Sequence, residues 1–249
     1  MTTSNQSDIL SIDSLTIGYG KKAIAEKLTA ALPSGKLTCL VGRNGVGKST
    51  LLKTLSGFLP PLSGTVTVTG RDASALSARE RARLVSVVLT GRPEVRMLTV
   101  EETVALGRMP YTNLWGRLTP RDAAVMDSSI NAVGINGLRR RHIGTLSDGE
   151  CQKVMIAKAL AQKTPLILLD EPTAFLDYPS KAETMRLLKS LTMSDDDAGE
   201  HVTALLSTHD MEMALRLADR LWVMTSDRTL CTGTPDELQE VLKKEKLVF

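Results

Sequence analysis

Residues 42–50 read GRNGVGKST, a glycine-rich turn closed by Lys48, Ser49 and Thr50 and entered directly from the apolar run Leu37 to Val41. A strand ending at Val41 aims successive backbone amides into the turn. Gly42, Gly45 and Gly47 permit positive φ and the close approach of a polyphosphate that side chains would block. Lys48 is placed to reach β- and γ-phosphates, and Ser49 to offer a hydroxyl to Mg²⁺. The helix beginning there turns its positive dipole end toward the same phosphates. Arg43, Asn44 and Val46 fill the remaining loop positions and Thr50 follows Ser49, so all of residues 42–50 are candidate nucleotide contacts. ATP is the expected ligand, with Mg²⁺ as its companion ion.

Moving outward, residues 8–70 alternate short apolar runs with turns: IDSLTI, KLTCLV, and the alternation Val66, Val68 in GTVTVTG, which predicts a half-buried antiparallel strand. Helix starts are then marked by S/T-x-x-E capping boxes at Ser77/Glu80, Thr99/Glu102 and Thr234/Glu237. Thr119 and Pro120 open a helix whose Ala123, Met126, Ile130 and Val133 share one face. Residues 92–163 therefore read as mostly helical. Beyond them, LILLD at 166–170 and VTALLS at 202–207 read as buried strands separated by a helix over 180–191, the alternation that produces a parallel sheet. LWVMT at 221–225 adds a strand before a C-terminal helix. The expected fold is α/β, with a nucleotide-binding core and β subdomain from 1–91 and 164–249, and a helical subdomain inserted at 92–163.

At the end of LILL, Asp170 and Glu171 place two carboxylates where a buried strand emerges. In this Walker B arrangement the aspartate holds Mg²⁺. The adjacent Glu171 can accept a proton from an attacking water, which makes it the candidate general base for γ-phosphate hydrolysis.

Composition narrows the classes. At 249 residues and 42% hydrophobic the chain can bury a full core, and a formal charge of +3 is too weak for a nucleic-acid footprint, so no nucleic-acid partner is expected. Cys39, Cys151 and Cys231 show no metal-ligand spacing and read as reduced cytosolic thiols. The leader MTTSNQS lacks a signal-peptide pattern, and no stretch approaches the roughly 18 apolar residues of a membrane span. The segment 194–200, SDDDAGE, reads as a solvated acidic loop.

Residues 146–153, LSDGECQK, resemble the LSGGQ signature of ATP-binding cassette ATPases, and the likeness extends over nearly the whole chain in the family's motif order. Tyr19, in GYG, is similar to the aromatic that stacks on adenine. AFLD, ending at Asp177, resembles the D-loop, and His209, in STHD, resembles the switch histidine that contacts the γ-phosphate. The resemblance implies a P-loop NTPase (RecA-like) core and a head-to-tail dimer. In that dimer Ser147, Asp148, Gly149 and Glu150 of one copy meet the ATP held by the other. A helix N-terminus with a serine hydroxyl and glycine amides is itself suited to a phosphate. The resemblance further implies two transmembrane permease subunits, docked on the helical insertion and the cleft around 90–94, and indirectly a substrate-binding protein. The chain would sit peripherally on the cytoplasmic face of the cell membrane.

VALGRMPY and LSDGE resemble ATPases that drive import of iron-siderophores, haem or vitamin B12; an iron–sulfur cluster assembly ATPase and an exporter subunit are the alternatives. Two positions depart from the family. Thr90 stands where a glutamine usually touches Mg²⁺, so the metal shell is expected to be completed by water, through which Thr90 itself is a candidate contact, or by a displaced residue. Asp148 replaces the signature's second glycine and is expected to point away from the phosphates, because a carboxylate beside them would oppose closure.

Overall fold

The computed structural model describes residues 8–91, 95–113, 115–193 and 202–248. The acidic loop expected at 194–200 and part of the cleft expected at 90–94 lie outside the described residues. In chain order the elements are β1 (Asp8–Tyr19), β2 (Lys22–Pro33), β3 (Leu37–Gly42), α1 (Lys48–Ser56), β4 (Ser63–Val68), β5 (Arg71–Asp72), α2 (Ala78–Arg81), β6 (Val85–Val88), α3 (Val100–Ala105), α4 (Pro120–Ala132), α5 (Asp148–Ala161), β7 (Leu166–Leu169), α6 (Tyr178–Met193), β8 (Thr203–Ser207), α7 (Met211–Leu217), β9 (Arg220–Met224), β10 (Leu230–Gly233) and α8 (Gln239–Lys244).

Two sheets organise the chain. Strands β2-β1-β4-β5 form an antiparallel sheet, and β10-β9-β3-β8-β7-β6 form a sheet in which β9, β3, β8, β7 and β6 run parallel while β10 is antiparallel. Strands β3, β7 and β8 are buried along their full length, as expected of parallel strands covered on both faces. Alternation then divides the interior. Cys39, Val41, Ile167, Leu169, Ala204, Leu206, Leu221 and Val223 face a core shared with helices α3 to α7. Their neighbours Leu40, Leu166, Leu168, Leu205, Trp222 and Met224 face a second core closed by α1 and the antiparallel sheet. Each strand thus serves two cores through the period-2 side-chain alternation.

The expected α/β architecture is present, including the antiparallel strand carrying buried Val66 and Val68 and the parallel strands around LILLD and VTALLS. Strand β6, in the run VSVV, was not anticipated; four residues without alternation carry no periodic signal. The Ser77/Glu80 and Thr99/Glu102 boxes open helices as expected. Thr234 and Glu237 make the reciprocal bonds of a capping box, yet the helix begins only at Gln239. Leu238, at φ −101°, leaves helical geometry as it enters the core.

Helix α4 is capped by Thr119 with Pro120 in its first turn. Met126, Ile130 and Val133 are buried, whereas Ala123 is exposed and Asp122 takes the interior position. The cause is Arg108, which is also buried. It donates from Nε to Asp122 Oδ1 at 2.8 Å and from Nη1 to the Ala161 carbonyl at 2.7 Å, with its guanidinium 4.1 Å over the Tyr111 ring. Bonds from the Thr119 hydroxyl and amide, with Arg108 beside them, hold the Asp122 carboxyl down to about 2. One arginine ties the start of α4 to the end of α5.

Candidate nucleotide site

The loop 42–50 leaves β3 at the carboxyl edge of the parallel sheet and enters α1 at Lys48. Gly42, Gly45 and Gly47 have φ of 150°, 80° and 115°. A Cβ at Gly42 would lie 2.4 Å from the Met224 carbonyl oxygen, and one at Gly47 would lie 2.8 Å from Ile24 Cγ2. A side chain has no room at either position, because the loop passes close to β9 at Gly42 and close to the β1–β2 hairpin at Gly47. Tyr19, half-exposed, sits at the end of β1 in that hairpin.

Lys48 is buried, and its ammonium donates to the carbonyls of Gly42 at 2.9 Å and Arg43 at 3.2 Å. Burial pulls its pKa down, while Glu171 and Asp170 oppose the shift. A cation held on loop carbonyls beside two carboxylates is poised to exchange those weak acceptors for phosphate oxygens. Ser49 Oγ donates to Asp170 Oδ1 at 3.0 Å, so the two hard oxygens assigned to Mg²⁺ converge from α1 and β7. They fit that ion, which takes one or two protein oxygens and completes an octahedron with phosphate and water. Among the described residues no group of three or more His, Cys, Asp or Glu could form an all-protein cage.

Glu171 follows Asp170 in a left-handed conformation at φ 45°, and its Oε2 lies 3.4 Å from His209 Nδ1. His209 also lines an open cleft of about 390 Å³ with Gly42, Arg43, Asn44, Thr208, Met211 and Leu247. Asp210 caps the following helix by accepting from the Met213 amide. The structure therefore gathers residues 42–50, Asp170, Glu171 and His209 at one sheet edge.

Two further residues hold this centre. Ser207, fully buried at the end of β8, donates to Asp170 Oδ1 at 2.7 Å and accepts from the Glu171 amide at 2.9 Å. Sequence reading passed over it as part of VTALLS; a hydroxyl ending an apolar strand directly before the STHD histidine was the available signal. Thr90 donates to the main-chain oxygen of Asp170 at 2.7 Å, so its hydroxyl meets the backbone beside the expected metal position.

Ser147, Asp148, Gly149, Glu150 and Asp177 form a second group. Ser147 and Glu150 make a reciprocal capping box at the start of α5, and the Ser147 amide and hydroxyl hold the Glu150 carboxyl below its ordinary range. A Cβ at Gly149 would lie 3.5 Å from Ser180 Oγ, and the Ser180 amide donates to the Asp177 carboxylate at 3.1 Å. Asp148 is exposed in the first turn of α5. The two groups sit on different elements.

Residues 25–174 match the ABC transporter family model. The chain is 36% identical over 226 residues to the ferric enterobactin transport ATP-binding protein of Escherichia coli (strain K12), covering 91% of this chain and 82% of that protein. It is 36% identical over 241 residues to the iron(3+)-hydroxamate import ATP-binding protein of Bacillus subtilis (strain 168), covering 94% and 87%. Among solved structures, cbiO1 from Clostridium perfringens, part of the ABC transporter complex cbiONQ, superposes with a TM-score of 0.79 at 26% identity over 96% of this chain and 95% of that one. A nucleotide-free ATP-binding cassette from an ABC transporter shares the fold, with a TM-score of 0.83 at 22% identity over 97% of both chains.

Proposed function

Because the chain belongs to the ABC transporter family of ATP-binding subunits, we propose that it hydrolyses ATP to drive a membrane importer of iron-siderophore, haem or vitamin B12 type cargo. The observation that carries this is the convergence of Lys48, Ser49, Asp170, Glu171 and His209 on one loop at the carboxyl edge of the sheet. The cargo class rests on relatives whose names specify ferric enterobactin, iron(3+)-hydroxamate and cobalamin.

Lys48 releases the loop carbonyls to bind β- and γ-phosphate, and the amides of residues 42–50 orient the triphosphate. Mg²⁺, held by Ser49 and Asp170, would supply charge neutralisation at the phosphates. Glu171 orients and deprotonates the attacking water, and His209, beside it in the cleft, contacts the γ-phosphate. Tyr19 provides the adenine platform. Ser147, Asp148, Gly149 and Glu150 of a second copy close over the nucleotide, with Asp177 beside them. Each pocket is therefore built from two copies, which accounts for phosphate-binding groups at the start of α5, on a different element from the loop 42–50.

Residues 92–163 form the subdomain that receives two permease subunits, which in turn engage a substrate-binding protein. No helix among the described residues is long and apolar enough to cross a membrane, and the permeases hold the chain at the cytoplasmic face.

The test is the Glu171→Gln variant with ATP and Mg²⁺, read by light scattering. It should bind ATP, lose turnover by at least about a hundredfold and form a stable dimer. A strictly monomeric, ATP-loaded variant in the presence of the permease would overturn the shared-pocket reading. Uptake of a ferric siderophore, haem or cobalamin by vesicles carrying the permease and this chain then decides the cargo.

A further inference from the structure

The Asp170–Glu171 peptide lies just beyond the end of β7, where the sheet cannot satisfy it. The ladder toward β6 ends with the Asp170 amide donating to the Val88 carbonyl at 2.9 Å, and pairing with β8 ends at Leu169–Leu206. The positive φ of Glu171 then turns the chain out of strand geometry, so neither neighbouring backbone can continue the pattern. Both polar groups of this one peptide are met by hydroxyls instead. From the β6 side, Thr90 Oγ1 donates to the carbonyl oxygen at 2.7 Å; from the β8 side, Ser207 Oγ accepts the amide at 2.9 Å. Ser207 spends its own proton on Asp170 Oδ1 at 2.7 Å, which also receives the Ser49 hydroxyl. Rotation of the peptide would break both bonds at once and swing the Glu171 side chain away from His209.

We propose that Thr90 and Ser207 are positioning residues that clamp the Asp170–Glu171 peptide from both sides and thereby fix the aim of the Glu171 carboxylate, and that Thr90 contributes nothing to the metal shell. The inference rests on Glu171 as the general base. Thr90 acts through the backbone, so what it must supply is a hydroxyl at that distance. Valine keeps the shape and loses the donor; serine keeps the donor.

The full chain is assayed for ATP turnover, with Mn²⁺ binding in the presence of a non-hydrolysable ATP analogue followed separately by electron paramagnetic resonance. Thr90→Val should lower kcat about tenfold, with the KM for ATP and the Mn²⁺ affinity unchanged within about twofold, and Thr90→Ser should restore kcat. Ser207→Ala should lower kcat at least as far and, unlike Thr90→Val, weaken Mn²⁺ binding, because the Asp170 carboxylate loses a donor as well; the double variant should have a kcat little below that of Ser207→Ala alone, because the same peptide is released. Wild-type kcat in Thr90→Val, weakened Mn²⁺ binding in that variant, or failure of the serine to rescue would overturn the proposal. Failure of the reading beneath it looks different: Glu171→Gln would then retain turnover whatever Thr90 does.

Discussion

Glu171 is the residue on which the chemistry turns, and it sits in a backbone conformation that costs a non-glycine residue about 1–3 kcal/mol. The cost is tolerated because the bonds around it over-determine the position: Ser207 on its amide and the Asp170 carboxylate, Thr90 on the preceding carbonyl. Lys48 represents the opposite case, a buried cation on neutral carbonyls and therefore ready to move. Lys48→Ala should weaken ATP binding by at least about tenfold, the scale of a charge-assisted hydrogen bond, in an equilibrium titration with a fluorescent ATP analogue. His209 is about half-exposed and reaches inward to Glu171 and the cleft. His209→Ala should cut kcat by about a hundredfold while the KM for ATP stays within about threefold; equal damage to both would make it a structural residue.

At the scale of elements, the helical region between β6 and β7 depends on a charge that the fold cannot leave unpaired. Removing Arg108 would take the buried counter-charge from the Asp122 carboxylate, leaving it only the Thr119 bonds, and the guanidinium donor from the Ala161 carbonyl. Arg108→Met should therefore lower unfolding stability by about 3–5 kcal/mol in a urea titration, with Arg108→Met/Asp122→Leu recovering much of the loss. This pair also shows where the sequence stops being legible. The spacing of Met126, Ile130 and Val133 announced a helix and its buried stripe, but spacing assigns Ala123 to the interior and cannot see that Asp122 has a buried arginine waiting 14 residues upstream. The loop 42–50, Asp170 and Glu171 were readable because their chemistry is written in adjacent residues. Ser207 was not, since its partners lie 36 and 37 residues away across a strand pairing that sequence does not display. Thr90 was readable as a departure from its family but not as a donor to Asp170, 80 residues on.

Over the whole molecule, the central sheet belongs to two interiors at once, odd and even positions of the same strands looking in opposite directions. Neither interior can melt while the other keeps its strands, so loss of structure in the sheet is a single event. Cys39 lies fully buried in β3, its thiol pushed up to about 12 by burial and, second, by Asp219. At neutral pH it has almost no thiolate to offer an alkylating reagent. Iodoacetamide should therefore label it only through global opening, with a urea dependence of the labelling rate that matches the full unfolding transition seen by far-ultraviolet circular dichroism; a weaker urea dependence would mean the strands part locally. A sulfur atom with no part in catalysis thus becomes a clock, timing how seldom the central sheet comes apart while the surrounding pockets bind, cut and release.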